Sequence, residues 1–314
     1  MQTRRFPTFL MQTIDQLNAS FAIPGILSFD EHGSLTRAQI TTPVCTGELY
    51  LQGAHITAWQ PDNEQPVLFL SEKSAFAPGK AIRGGIPVIL PWFGSRTATP
   101  EDPRTDGPSH GFARTQPWNL DFGAYAADEL HLSLSLEPTE LSRSLGFDNF
   151  LVAYQITFGR ELRLRLSVAN DGNEPMHFEE ALHTYLHVGD VEQARVHGLF
   201  ETEYLDKTQD FARKTQTDPV LTLTGPTDRP YLNTTSPIVV DDPILHRRIT
   251  VTKANSKTTV VWNPWASAGI PDMTDDGWRQ MLCIESANAA ENVLKLQPHE
   301  AHVLETTISV EALG

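Results

Sequence analysis

Apolar and polar residues alternate with a period of two through 160–170. Leu162, Leu164, Leu166 and Val168 are separated by Arg163, Arg165 and Ser167. Successive side chains of a β-strand point to opposite faces, so this run predicts a half-buried strand with one face in water. His131-Leu132-Ser133-Leu134-Ser135-Leu136 repeats the pattern. So do Leu304, Thr306, Ile308 and Val310, interleaved with Glu305, Thr307 and Ser309, predicting a strand over 302–310. Shorter runs predict strands at 47–51, 55–59, 67–70, 151–158, 237–240, 248–252, 258–262, 281–285 and 293–296. Turn chemistry fills the intervals, at Asp62-Asn63, Asn170-Asp171-Gly172-Asn173, Gly225-Pro226 and Asp241-Asp242-Pro243. Many short strands with polar turns and almost no helical crossovers argue against a parallel α/β fold. They predict an all-β chain, a large antiparallel β-sandwich. The best helical period is N-terminal, where Phe6, Leu10, Ile14, Leu17 and Phe21 fit one helix face over 6–22. There is no internal repeat or low-complexity linker. Residues 97–109, rich in Pro, Asp and Thr, lie between two dense motifs and read as a loop over a site. A single domain is therefore expected over 1–314, with 1–22 as a helical extension.

Composition narrows the partners. The 314 residues are 40% hydrophobic, enough for a substantial core, and carry a formal net charge of -15. Such an acidic chain is a poor binder of nucleic acid or of an anionic membrane surface. It also repels phosphorylated metabolites at long range, so any anion site needs dedicated local cations. The two cysteines, Cys45 and Cys283, have neither CxxC nor Cys/His ligand spacing. They read as buried free thiols in a reducing compartment. The apolar run Phe6–Met11 is too short and interrupted for a signal peptide. No run approaches the roughly 18 apolar residues needed to span a bilayer. The expectation is a soluble, cytoplasmic protein.

Five clusters could carry chemistry. The first is Lys80-Ala81-Ile82-Arg83-Gly84-Gly85-Ile86-Pro87, running on to Pro91-Trp92-Phe93-Gly94. The second is Ser109-His110-Gly111-Phe112-Ala113-Arg114. Glycines admit close backbone approach, arginines bind phosphate in a fork, and aromatics offer flat apolar walls. That mix suits a phosphorylated sugar. In the third, Glu179 to His187, strand-like flanks put His183 and His187 on one face but about 13 Å apart, four residues at roughly 3.3 Å each. They cannot share one metal, and a histidine on a half-buried strand is more often structural than catalytic, so local pattern leaves His183 open. In the fourth, Met281-Leu282-Cys283-Ile284-Glu285-Ser286-Ala287-Asn288, Glu285 follows four apolar residues. Buried, its pKa would rise toward neutrality, as suits a general base; at a strand edge it would simply be solvated. The fifth, Val260-Val261-Trp262-Asn263-Pro264-Trp265, could wall a sugar site, although two tryptophans near a strand end are more often core. Tyr204-Leu205-Asp206-Lys207 by itself reads as solvated surface. Arg83-Gly84-Gly85 occurs once in an acidic chain and does not make a nucleic-acid segment. GxSxG, GxxxxGK[ST] and GxGxxG are absent.

Taken together and in order, these clusters resemble the glucose-6-phosphate 1-epimerases, or hexose-6-phosphate mutarotases, of the aldose 1-epimerase superfamily. The matching pieces run from Arg83-Gly84-Gly85-Ile86-Pro87 through His110-Gly111-Phe112-Ala113-Arg114, Leu182-His183-Thr184-Tyr185 and Tyr204-Leu205-Asp206-Lys207 to Cys283-Ile284-Glu285. The resemblance implies the galactose mutarotase-like sandwich fold. It implies His183 and Glu285 as the catalytic pair, Arg83 and Arg114 at the sugar-phosphate site, and His110 and Asp206 near sugar hydroxyls. Some relatives carry a substrate-contacting glutamine where this chain has Ser109, which is too short for the same reach. The implied chemistry opens a cyclic hemiacetal and recloses it on the other face. Glu285 would take the O1 proton and His183 would protonate the ring oxygen, with no metal, nucleotide, other cofactor or covalent intermediate required. The partner would be a small hexose 6-phosphate. An epimerase of unphosphorylated aldoses, or a carbohydrate-binding sandwich without turnover, would fit the same fold. The two catalytic side chains are expected to face each other across a gap wide enough for a sugar ring.

Overall fold

A computed structural model describes residues 12–100, 102–266 and 269–314. Of the helix predicted over 6–22, the structure shows Ile14–Phe21, beginning after Thr13; residues 6–11 of that prediction lie outside the described residues. Thr13 opens it with a capping box, its hydroxyl accepting from the Gln16 N–H while the Gln16 side chain accepts from the Thr13 N–H. Leu17 is fully buried, and the Asn18 amide bonds both backbone groups of Phe29, which fixes the helix to the first strand.

Among the described residues the strands pair antiparallel, as the alternation predicted. A four-stranded sheet holds Leu27–His32, Leu35–Thr41, Cys45–Tyr50 and His55–Pro61 in sequence order. One eight-stranded sheet runs Arg195–His197, Ile238–Asp242, Arg247–Ala254, Ala301–Ala312, Leu162–Asn170, Phe150–Phe158, Glu129–Leu136, Asn119–Ala126. Its apolar face behaves as the period of two requires: Leu162, Leu164, Leu166 and Val168 are buried, and Arg163 reaches out to pair with Glu129. The second eight-stranded sheet runs Ala212–Thr215, Glu203–Asp206, Thr227–Leu232, Thr258–Asn263, Met281–Asn288, Glu180–Leu182, Val88–Ile89. Tyr185–His187 also pairs with Met281–Asn288. Every residue of Met281–Asn288 is buried, so this central strand is covered on both faces.

One predicted strand is not regular. Residues 67–70 form only isolated bridges, Leu68 to Leu186 and Leu70 to Gly84. The reason lies in its neighbour. Gly84 and Gly85 take φ of 118° and 63°, which bends the chain away from a regular ladder.

Candidate active site

The site is built by strand register. Glu180 pairs with Asn288 and Leu182 with Ser286; pairing resumes at Tyr185 with Cys283. Between these pairs the Ile284 N–H donates to the Thr184 carbonyl at 3.0 Å. The register is therefore unbroken, and His183 falls opposite Glu285. On the other side Val260 pairs with Glu285, Trp262 with Cys283, and Asp228 with Trp262. Directly opposed residues share a face of an antiparallel sheet. One face thus carries His183 and Glu285 and, one repeat along, Tyr185, Cys283, Trp262 and Asp228.

The two glycine-rich motifs close against this row. His183 N–H bonds the Pro87 carbonyl at 3.1 Å and Tyr185 N–H bonds the Gly85 carbonyl at 2.9 Å. A Cβ on Gly85 would collide with the Ile56 carbonyl, and one on Gly111 with the Leu90 carbonyl. A parallel bridge from Leu90 to Gly111 joins the motifs. The glycines are needed for this close backbone approach, which brings Arg83, His110 and Arg114 to the same site.

His183 and Glu285 do not face each other across a gap. Nε2 lies 3.2 Å from Oε1, the residues are 6% and 1% exposed, and the geometry is not that of a hydrogen bond. His183 Nδ1 and both Glu285 oxygens lack hydrogen-bond partners among the described residues. The expected gap is wrong for a chemical reason: the two oxygens that would exchange protons in ring opening are bonded to one carbon, so the groups serving them must be neighbours. Burial, then the negative charge of Asp228, pushes the Glu285 carboxyl well above its ordinary range. Burial, then the charges of His110 and Arg114, holds His183 well below its own. Both shifts favour neutral groups in a low dielectric. The imidazole is clamped, stacked on Tyr185 with centroids 4.8 Å apart and parallel to Phe93 at 6.3 Å. His110 and Trp262 meet it edge-on at 5.5 and 6.0 Å. Of the two tryptophans, Trp262 thus walls the site, while Trp265 packs on Trp278.

Cations surround the pair. Arg83 donates from Nε to Asp272 at 3.0 Å and from Nη1 to the Tyr185 hydroxyl at 2.9 Å. Arg114 donates from Nη2 to the Ser109 carbonyl at 2.8 Å, and its buried Nε has no partner among the described residues. Burial pulls the His110 pKa down to about 3, helped by the charges of Arg114, Lys207 and Arg83. Asp206 is differently occupied. Its carboxylate caps the following turn through the Thr208 N–H, accepts from the Thr208 hydroxyl and pairs with Lys214 at 2.8 Å. Its neighbour Lys207 reaches the site instead, pairing with Asp228 at 3.0 Å and lying 5.6 Å from the Phe93 ring. Lys207, Asp228, Asp272 and Tyr185 were not anticipated as site residues. Lys207 and Tyr185 lay inside motifs already singled out. Asp228 had no local mark: it follows the Gly225-Pro226 turn in no predicted strand, and only its pairing with Trp262 puts it on this face. His187 stands apart, with Nδ1 3.3 Å from the Pro66 carbonyl.

The family model for aldose 1-epimerase matches residues 37–309. A provisionally named glucose-6-phosphate 1-epimerase of Escherichia coli (strain K12) is 32% identical over 300 residues, 95% of this chain and 96% of that protein. One from Cenchrus ciliaris, also provisionally named, is 33% identical over 267 residues, 82% of this chain and 78% of that protein. The crystal structure of a provisionally named mutarotase from Salmonella typhimurium superposes with a TM-score of 0.85 at 30% identity, covering 95% of this chain and 99% of that one. With the family model matching residues 37–309 and relatives matching most of its length, the chain belongs to the aldose 1-epimerase family.

Proposed function

We propose that this protein interconverts the α and β anomers of glucose 6-phosphate by acid/base ring opening and reclosure. The observation that carries this is the His183–Glu285 pair: opposed across one register position, 3.2 Å apart, buried, and with free lone pairs. The pair shares one exchangeable proton. Glu285 takes the O1 proton while His183 gives its proton to the ring oxygen. The C1–O5 bond breaks and the C1–O1 carbonyl forms. After rotation about C1–C2 the ring closes on the other carbonyl face and the protons return. Burial favours the shared proton on Glu285, so the substrate must favour its transfer across to His183. Each well-placed acid or base supplies roughly 10²–10⁴ in rate.

Arg83 and Arg114 supply the cations that an acidic chain needs to hold a phosphate. Arg114 is the freer, because Arg83 is already engaged by Asp272 and Tyr185. Asp228 and His110 border the catalytic pair and suit sugar hydroxyls, whereas Asp206 serves its own turn. Trp262 offers the sugar a flat wall. Cys45 and Cys283 are both free and buried, which supports a reducing, cytoplasmic setting. No helix among the described residues is long and apolar enough to cross a membrane. The test is NMR exchange between the anomers of glucose 6-phosphate and of glucose, with and without protein. Acceleration restricted to, or far larger for, the phosphorylated sugar is expected. Faster exchange of glucose alone would move the substrate class to free aldoses, and no acceleration of either would leave a binding module.

A further inference from the structure

The mechanism leaves Cys283 unused, yet it lies inside the site. It pairs with Tyr185 and Trp262 in the row beside His183 and Glu285, and it is fully buried. One donor atom from each of His183, Cys283 and Glu285 falls within 4.8 Å of the others. We propose that these three side chains form a binding site for a thiophilic divalent cation of the Zn²⁺ or Cd²⁺ class, and that its occupation switches the enzyme off.

Three observations carry the assignment. The first is spacing. Tetrahedral zinc, with bonds of about 2.0–2.3 Å, separates its donors by roughly 3.5 Å, so the triad closes on one ion with shifts on the order of 1 Å. The second is vacancy in the hydrogen-bond sense: both Glu285 oxygens are buried without partners among the described residues, and His183 Nε2 stands 3.2 Å from Oε1 without bonding it. The third is donor type. A thiolate, an imidazole and a carboxylate select zinc-like ions; magnesium and calcium take oxygen ligands. Charge agrees as well. Thiolate and carboxylate together neutralise a dication, so the complex adds no net charge beside Arg83, Arg114 and Lys207. Three protein ligands leave a fourth position for water or an anion. Inhibition follows because the ion occupies the lone pairs that the proton transfers require. Both the thiol and the carboxylic acid must lose their protons to bind, so capture releases protons and tightens as pH rises.

The inhibitory half of this inference rests on the proposed function; the binding half does not, and the two are read separately. Co²⁺ added to the full chain should give a thiolate-to-cobalt charge-transfer band that Zn²⁺ displaces. The band should vanish in Cys283→Ser and in Glu285→Gln but persist in His187→Ala. Zn²⁺ should inhibit anomer exchange competitively with glucose 6-phosphate. Cys283→Ser should raise the inhibitory Zn²⁺ concentration, read against the variant's own metal-free turnover, at least about 100-fold, since even outer-shell partners of a metal are worth 10–100-fold. Should Cys283→Ser fold poorly, the Glu285→Gln titration decides the ligand set. Absence of the band in the parent chain, its survival in Glu285→Gln, or equal Zn²⁺ inhibition of parent and Cys283→Ser would each overturn the proposal. A protein that shows the band but no turnover would keep the cation site and lose the enzymatic reading.

Discussion

Glu285→Gln separates the chemistry of this site from its cost. The substitution is nearly isosteric and removes only the ability to give and take a proton. Turnover should fall by about 10²–10⁴, the worth of one positioned acid/base group. Stability should move the other way. Glu285 is 1% exposed, both oxygens lack partners among the described residues, and burial with the Asp228 charge raises its folded pKa well above 4.5. The unfolded chain releases that proton near 4.5. The stability this group contributes is therefore fully present below 4.5 and is lost as pH rises toward its folded value. While the group is protonated in the fold and ionised in the unfolded chain, the loss is about 1.4 kcal/mol per pH unit. Glutamine carries no such proton, so the variant's advantage should widen with that slope. Urea midpoints of the two proteins, compared from about pH 5 to 7 with m unchanged, read it directly. A flat difference would mean that Glu285 is already ionised in the fold as an ion pair with His183. The shared-proton account would then be refuted, whatever the turnover.

Three other outcomes are expected. Arg114→Ala should lower kcat/KM for glucose 6-phosphate by about 2 kcal/mol more than for glucose, the worth of a charge-assisted contact; Arg114→Lys should restore part of it, and equal losses for both sugars would show that Arg114 only shapes the pocket. Asp228→Asn should raise KM for the sugar, whereas Asp206→Ala should leave KM unchanged and cost about 1 kcal/mol of stability, because its carboxylate caps a turn; the reverse pattern in steady-state kinetics and urea melts would return the hydroxyl contact to Asp206. His55, fully buried with Nε2 2.7 Å from the Gly84 carbonyl, has its pKa pulled by burial down to about 4. Its contribution is intact above 6.5 and is lost as pH falls through that value, amounting to about 2 kcal/mol at pH 5, and His55→Gln should flatten the acid limb of the stability curve; an unchanged slope would show that His55 is charged in the fold.

Much of this architecture is legible in the chain because burial on one face leaves a period of two. Residues 162–170 and 129–136 show it cleanly, and the structure buries the predicted faces. Leu27–His32 and Leu35–Thr41 escaped because cross-strand ion pairs help hold them: Arg37 bonds Asp30 at 2.8 Å and Glu48 at 3.0 Å, and charges in a strand mask its alternation. The same limit applies to the site. Local context left Glu285 between a buried base and a solvated edge, since burial is decided by strands distant in sequence. Trp262 and Trp265 read more readily as core than as sugar wall for the same reason, and only Trp262 turned out to wall the site. The resemblance named His183, Glu285 and the arginines, but not that the His183 and Glu285 side chains touch. That contact depends on register between segments about a hundred residues apart, which no local pattern contains.

The Lys207–Asp228 ion pair has a further consequence. Ring opening unmasks an aldehyde at C1, and a free amine beside an aldehyde condenses to an imine. Such capture would bind the sugar covalently to its own enzyme. The cations nearest the pair limit this hazard in two ways. Arg83 and Arg114 present guanidinium groups, which are poor nucleophiles. Lys207 presents an ammonium engaged by a carboxylate 3.0 Å away, and an ammonium has no lone pair to attack with. Under the proposed function, a site that holds phosphate with positive charge while a reactive carbonyl forms beside it thus carries its charge in chemically inert form.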